Sequence, residues 1–259
     1  MKKLLVIPKL EKIEEYVRLA EKYDLGFEYN EFFNPCLLDD EEALEEIMQK
    51  YTQNHLPKYA TMHGAFYDVV PCSMDERIRQ VAQLRIQQSL DVANKMGASA
   101  VVFHTGYNPG LNTREYMDAW LESNISFWGE VLEKNKGLNI YLENMFEDSP
   151  DLPEALAKGL EGYSNFGICL DYSHATLYGG NPSLWAKRLG RFIKHVHIND
   201  HDGSSDRHLA WGDGVTDRKQ FYADYAEYMQ GATVLIETVD LDNAEKSLKV
   251  LEKEGFWKN

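Results

Sequence analysis

The stretch from Phe192 to Asp213 reads FIKHVHINDHDGSSDRHLAWGD. It opens as a strand, with Ile193, His195, His197 and Asn199 on one side and Val196 and Ile198 on the other. Asn199-Asp-His-Asp-Gly203 then stops the strand and starts a polar loop. That loop carries Asp206 and His208 on either side of Arg207. A strand ending near His197 therefore runs into a loop offering a carboxylate and a second imidazole, donors that suit a divalent metal at the mouth of a parallel sheet. Taken alone, the stretch favours a plainer reading, a packed core histidine followed by an ordinary loop. The other strands reverse that preference.

Working outward, apolar runs that read as strands alternate with helical periodicity. Strands are expected at 4–7, 26–33, 60–65, 99–104, 138–145, 166–171, from 192, and at 233–238. Helices are expected at 10–22, from Leu38 onward, from a Ser73-Met-Asp-Glu76 cap through Lys95, at 113–134, 151–160, from Pro182, 216–229 and 243–254. The segment after residue 171 is broken by Gly179-Gly-Asn-Pro182, so regular helix is expected there only from Pro182. Strict alternation of eight strands with eight helical segments implies an α/β protein with a parallel sheet. A length of 259 residues favours closure into a single-domain (β/α)8 TIM barrel spanning residues 1–259. No glycine-rich dinucleotide fingerprint follows the first strand, which lowers the doubly wound alternative.

The ends of these strands share a chemistry. The third ends at His63, the fourth at His104, the fifth at Glu143, and the sixth at Asp171 with His174 three residues on. The seventh ends at His197 and the eighth at Glu237, while Asp206 and His208 follow in the loop. In a barrel the C-terminal strand ends converge on one mouth. One such residue is more often a satisfied polar side chain than a ligand. Six successive strands ending this way would gather acids at severe cost without a cation, so a divalent metal, zinc or manganese, is expected there. Tyr107, Arg207 and Trp211 lie on loops near the mouth and are candidates to touch substrate. Phe66 and Tyr67 are read as either lining or packing, and His195 as structural, one layer below His197.

A formal net charge of −15 argues weakly against a general nucleic-acid surface. Cys36, Cys72 and Cys169 form no CxxC pair or disulfide framework, as expected in a reducing compartment. No apolar run has signal-peptide or membrane-span length, so the expected location is the cytoplasm, with no membrane partner. Oligomerisation is left open.

The segments MHGAFYD (62–68), VVFHTGY (101–107), YLENM (141–145), GICLDYSHA (167–175) and HINDHDGSSDRHLAWGDG (197–214) resemble those of the xylose isomerase-like TIM-barrel superfamily, over nearly the whole chain. The resemblance implies two chemistries. In the sugar and sugar-phosphate isomerases and epimerases, one divalent ion is held by a Glu, Asp, His, Glu set matching Glu143, Asp171, His197 and Glu237. The two glutamates there act as an acid/base pair through an enediolate. In the endonuclease IV-like phosphodiesterases, nine ligands hold three zinc ions and the partner is nucleic acid. His63, His104, Glu143, Asp171, His174, His197, Asp206, His208 and Glu237 fall at those nine places. Two features depart from that second pattern: MKKLLVIPK lacks its N-terminal histidine motif, and NEFFNPCLLDDEE lacks its arginine-bearing segment. The expectation is therefore an isomerase or epimerase with one to three metal ions per chain and a small sugar or sugar phosphate as partner. The phosphodiesterase is the alternative, and a non-catalytic metal-stabilised barrel is a third class.

Overall fold

Short runs of β-branched and aromatic residues bounded by Gly, Pro and Asp form the strands, and their period-two pattern decides which side faces inward. The computed structural model describes residues 3–257. The strands are β1 (Leu4–Val6), β2 (Gly26–Tyr29), β3 (Ala60–His63), β4 (Ala100–His104), β5 (Asn139–Glu143), β6 (Phe166–Asp171), β7 (Ile193–Ile198) and β8 (Thr233–Ile236). All neighbours pair in parallel, and β8 pairs with β1 to close the barrel. The (β/α)8 expectation is met.

The helices are α1 (Ile13–Tyr23), α2 (Pro35–Leu38), α3 (Glu41–Thr52), α4 (Glu76–Met96), α5 (Arg114–Lys134), α6 (Asp151–Leu160), α7 (Tyr172–Leu177), α8 (Pro182–Leu189), α9 (Arg218–Tyr228) and α10 (Leu241–Lys253). Three local expectations need correction. The second helical segment is two helices, because Asn34 caps one start and Asp40 caps a second. The long α4 is capped by Asp75 rather than Ser73, through a bond from the Arg77 backbone N–H to the Asp75 carboxylate. A helix, α7, also begins directly after β6, because Asp171 caps it by accepting the His174 backbone N–H at 2.6 Å.

Most of the apolar core lies between barrel and helices. On β5, Ile140 and Leu142 face that layer, while Tyr141 and Glu143 turn into the barrel. Inside, Leu5, Ile7 and Leu235 form one buried cluster, and Ala100, Val102, Tyr141 and Cys169 another. The pairing sets His104 beside Glu143 and Asp171 beside His197. The candidate site residues thus occupy neighbouring positions at one end of a closed, filled cylinder.

Candidate metal centre

Two strands place a pair of buried acids side by side. β5 ends by turning Glu143 inward, and β6 does the same with Asp171, whose backbone is clamped from β5 by Asn144. The Asn144 amide donates to the Asp171 carbonyl at 3.0 Å and accepts from the Asp171 N–H at 2.9 Å. His197 on β7 and Glu237 just beyond β8 complete a group whose donor atoms lie within 4.8 Å of one another, all four residues being buried. His197 Nδ1 sits 3.2 Å from Glu143 Oε1 and 3.5 Å from Glu237 Oε2.

Glu143 belongs to a second group as well. Its Oε2 lies 3.2 Å from His63 Nε2 and 3.6 Å from His104 Nε2. One carboxylate therefore faces two clusters, one with each oxygen. A third cluster comes from the loop after β7: Asp206 Oδ2 is 2.8 Å from His208 Nε2 and 3.2 Å from His174 Nε2. It adjoins the first, since His174 Nδ1 is 3.6 Å from Asp171 Oδ2 and His208 Nδ1 is 3.8 Å from Glu237 Oε2. All nine residues proposed as ligands come together.

The donor set fits a divalent cation. Asp171 Oδ2, His197 Nδ1 and Glu237 Oε2 within the four-residue group, and Asp206 Oδ1 in the loop cluster, are buried with no hydrogen-bond partner, which is costly unless something positive lies beside them. Burial, reinforced by the Glu237 and Glu143 charges against the opposing pull of His174, raises the Asp171 carboxyl to about 7. Burial would neutralise His208, but Glu237 and Asp206 raise it to about 9. Burial likewise opposes ionisation of Glu143, yet His197 and His63 hold it well below the usual carboxylate range. Burial lowers His104 to about 4. Mixed nitrogen and oxygen donors of this kind suit zinc or manganese.

A model of the xylose isomerase-like TIM-barrel family matches residues 17–254. The chain belongs to this family. Among its relatives, an uncharacterised protein of Methanocaldococcus jannaschii, MJ1311, is 31% identical over 202 residues, covering 74% of this chain and 68% of that one. A protein named probable endonuclease 4 from Mycobacterium leprae is 30% identical over 203 residues, covering 71% and 74%. Of solved structures, a Thermus thermophilus protein soaked with ZnCl2 superposes with a TM-score of 0.78 at 25% identity, covering 99% of this chain and 100% of that one. A D-tagatose 3-epimerase-like protein gives 0.75 at 25% identity, covering 97% and 96%.

This xylose isomerase-like barrel also holds a carboxylate that its sequence did not single out. Glu28 on β2 is 1% exposed, deep in the interior. Its Oε1 is 3.1 Å from His197 Nε2 and its Oε2 is 3.0 Å from His195 Nε2, and Thr61 donates to it at 2.6 Å. The ring nitrogens meet these oxygens at ion-pair distance without the alignment of a hydrogen bond. Burial opposes its charge, but His197 and His195 hold it below the ordinary carboxylate range. A lone Glu inside the apolar strand GFEY was the available signal. His195 sits beneath the cluster, bonded to Thr233 Oγ1 at 2.5 Å, and one of its ring nitrogens lies within 4.8 Å of donor atoms of Cys169 and His197.

The loop candidates separate. Phe66 stands 5.2 Å from the His63 ring and 5.4 Å from that of His104, and Tyr178 stands 6.0 Å from His174. Both flank the mouth. Tyr107 packs on Tyr116 and Trp120 of α5. Arg207 is exposed and paired with Asp202 at 3.1 Å. Trp211 must be withdrawn as a substrate contact, because it is fully buried against Phe221 with its Nε1 donating to Tyr222. Among the described residues no helix is long and apolar enough to cross a membrane.

Proposed function

We propose that this chain is a divalent-metal-dependent isomerase or epimerase of a small sugar or sugar phosphate, with Glu143 and Glu237 as the acid/base pair. One observation carries the reading: two buried carboxylates from separate strands approach the same His197 nitrogen, at 3.2 and 3.5 Å, and so flank one small space. Glu143, Asp171, His197 and Glu237 would hold the ion, which when bound polarises the substrate's carbonyl and hydroxyl oxygens. One glutamate takes the proton from the carbon next to the carbonyl, and the other returns a proton to the neighbouring carbon or the opposite face. Phe66 and Tyr178 border the opening and limit water around the exchanging carbon.

A second reading, zinc-dependent phosphodiester hydrolysis, has its own observation. His63, His104, His174, Asp206 and His208 surround the four central residues and extend the donor set past what one ion needs. Against it stands the charge of the mouth. Among the described residues, the strand-end loops 7–9, 30–34, 64–75, 105–113, 144–150, 199–217 and 237–240 hold two side-chain cations from Lys and Arg, Lys9 and Arg207. Arg207 is already engaged by Asp202. A nucleic-acid backbone needs more cations than this to bind.

The test is isotopic. Metal-loaded protein incubated with a panel of ketoses and ketose phosphates in deuterated water should place deuterium on carbon, and Glu143→Gln and Glu237→Gln should slow the exchange by roughly two to four powers of ten. No exchange across the panel, together with cleavage of an abasic-site duplex, would replace the first reading with the second.

A further inference from the structure

Asp206 and His208 reach the centre on a loop, 201–216, rather than on a strand end, so something must hold that loop in place. At its root lies Asp200, fully buried and outside the donor clusters. Asp200 Oδ1 accepts the backbone N–H of His201 at 3.0 Å and of Thr216 at 3.0 Å, and Oδ2 accepts that of Gly212 at 2.9 Å. Its own backbone exchanges two hydrogen bonds with Leu209, at 3.0 and 2.9 Å. One side chain thus ties the beginning and end of the loop together, while its backbone pins the residue next to His208.

Two further features show that the loop is built around this anchor. A Cβ at Gly214 would stand 2.4 Å from Asp200 Oδ1 and 2.2 Å from the His201 carbonyl, so only glycine fits. His208 itself has φ of 48°, a left-handed conformation that a residue with a side chain adopts at a cost and that neighbouring bonds must maintain. Charge-assisted bonds from a carboxylate to backbone N–H groups are among the stronger ones available for that purpose.

We propose that Asp200 is a positioning residue: its carboxylate holds the loop so that Asp206 and His208 face His174 and Glu237, which makes the loop's share of metal binding separable from that of the four strand-borne groups. The inference rests on the metal-centre reading above. An ordinary structural role would lower stability alone and leave metal binding by the folded protein unchanged.

The experiment titrates cobalt(II) into metal-stripped full-length protein and follows visible absorption, for wild type, His208→Ala, Asp200→Asn and Gly214→Ala. Amide hydrogen exchange across 201–216 is measured in the same metal-free samples. His208→Ala marks the loop-dependent binding. Asp200→Asn offers fewer acceptor sites to the same donors, and Gly214→Ala pushes a methyl into the anchor without changing charge. Both should reproduce the His208→Ala titration, with loop-dependent affinity reduced about ten- to a hundredfold and the strand-borne site unchanged. Both should also lose protection at Gly212 and Thr216. Variants that match wild type in titration or in exchange overturn the role of Asp200 while leaving the centre standing. Wild-type protein that binds no cobalt overturns the centre, and retained loop protection in Asp200→Asn then overturns the anchor as well.

Discussion

Glu143 is the residue on which the site turns, since its two oxygens face separate groups of donors. Glu143→Gln should reduce turnover by roughly two to four powers of ten, as should Glu237→Gln. The Glu143 change should also weaken metal binding more broadly, because Glu143 belongs both to the group with His197 and to the group with His63 and His104. Steady-state kinetics with bound metal measured in parallel would check this, and equal metal loss in both variants would count against the shared role.

A pH dependence follows from the same crowding. Asp171 holds its proton to about 7 in the folded, metal-free protein. The penalty for ionising it is absent below about 4, grows as pH rises, and is complete above about 7. His208, raised to about 9, contributes stability that is fully present below about 6.5 and is lost as pH rises through 9. Both signs agree, so metal-free protein should be less stable to urea at pH 9 than at pH 6. Bound metal replaces those protons, so metal affinity should fall roughly tenfold per unit below about pH 9 as His208 protonates, and by a further tenfold per unit below about 7 as Asp171 does. A metal-free protein equally stable at both pH values would refute the assignment.

Seven of the nine candidate donors were legible from sequence because they stand at or within three residues of a strand end, where parity and barrel topology fix their direction, whereas Asp206 and His208 were read from the polar loop that follows β7. Glu28 was not, since a single acid in a short strand gives no hint of the two histidines that reach it from β7. Trp211 was misplaced for a related reason: its loop doubles back and buries the ring against α9.

At the scale of elements, strand order and helix alternation followed from hydrophobic period, while starts and stops depended on which side chain captured a free N–H. Asp171 shows why the missing helix could not be read. The residue serves as a strand end, a candidate ligand and the cap of α7. Asn165 does comparable work between elements. Its amide contacts the carbonyls of Leu132, Asn135 and Leu138, at 3.1, 3.0 and 3.2 Å, fastening the end of α5 to the approach of β5. Asn165→Ala should cost about 1–3 kcal/mol, read as a lower Tm with the site chemistry intact. A loss below about 0.5 kcal/mol would show that water replaces those bonds without penalty.

For the whole molecule, unpartnered buried donors and acids mean that the metal-free barrel holds unfavourable groups together by virtue of the rest of the fold. Metal at about a thousandfold above its Kd should add about 4 kcal/mol of stability, raising Tm by roughly ten degrees. A calorimetric scan with and without zinc or manganese would show this, and an unmoved Tm would argue against tight binding.

The packed interior beneath the donors has a kinetic corollary. With Leu5, Leu235, Val102, Tyr141 and Cys169 plugging the cylinder, nothing passes out through its floor. Reactant and product must share a single doorway, so the product has to back out before the next molecule enters. Inhibition by product should accordingly be purely competitive.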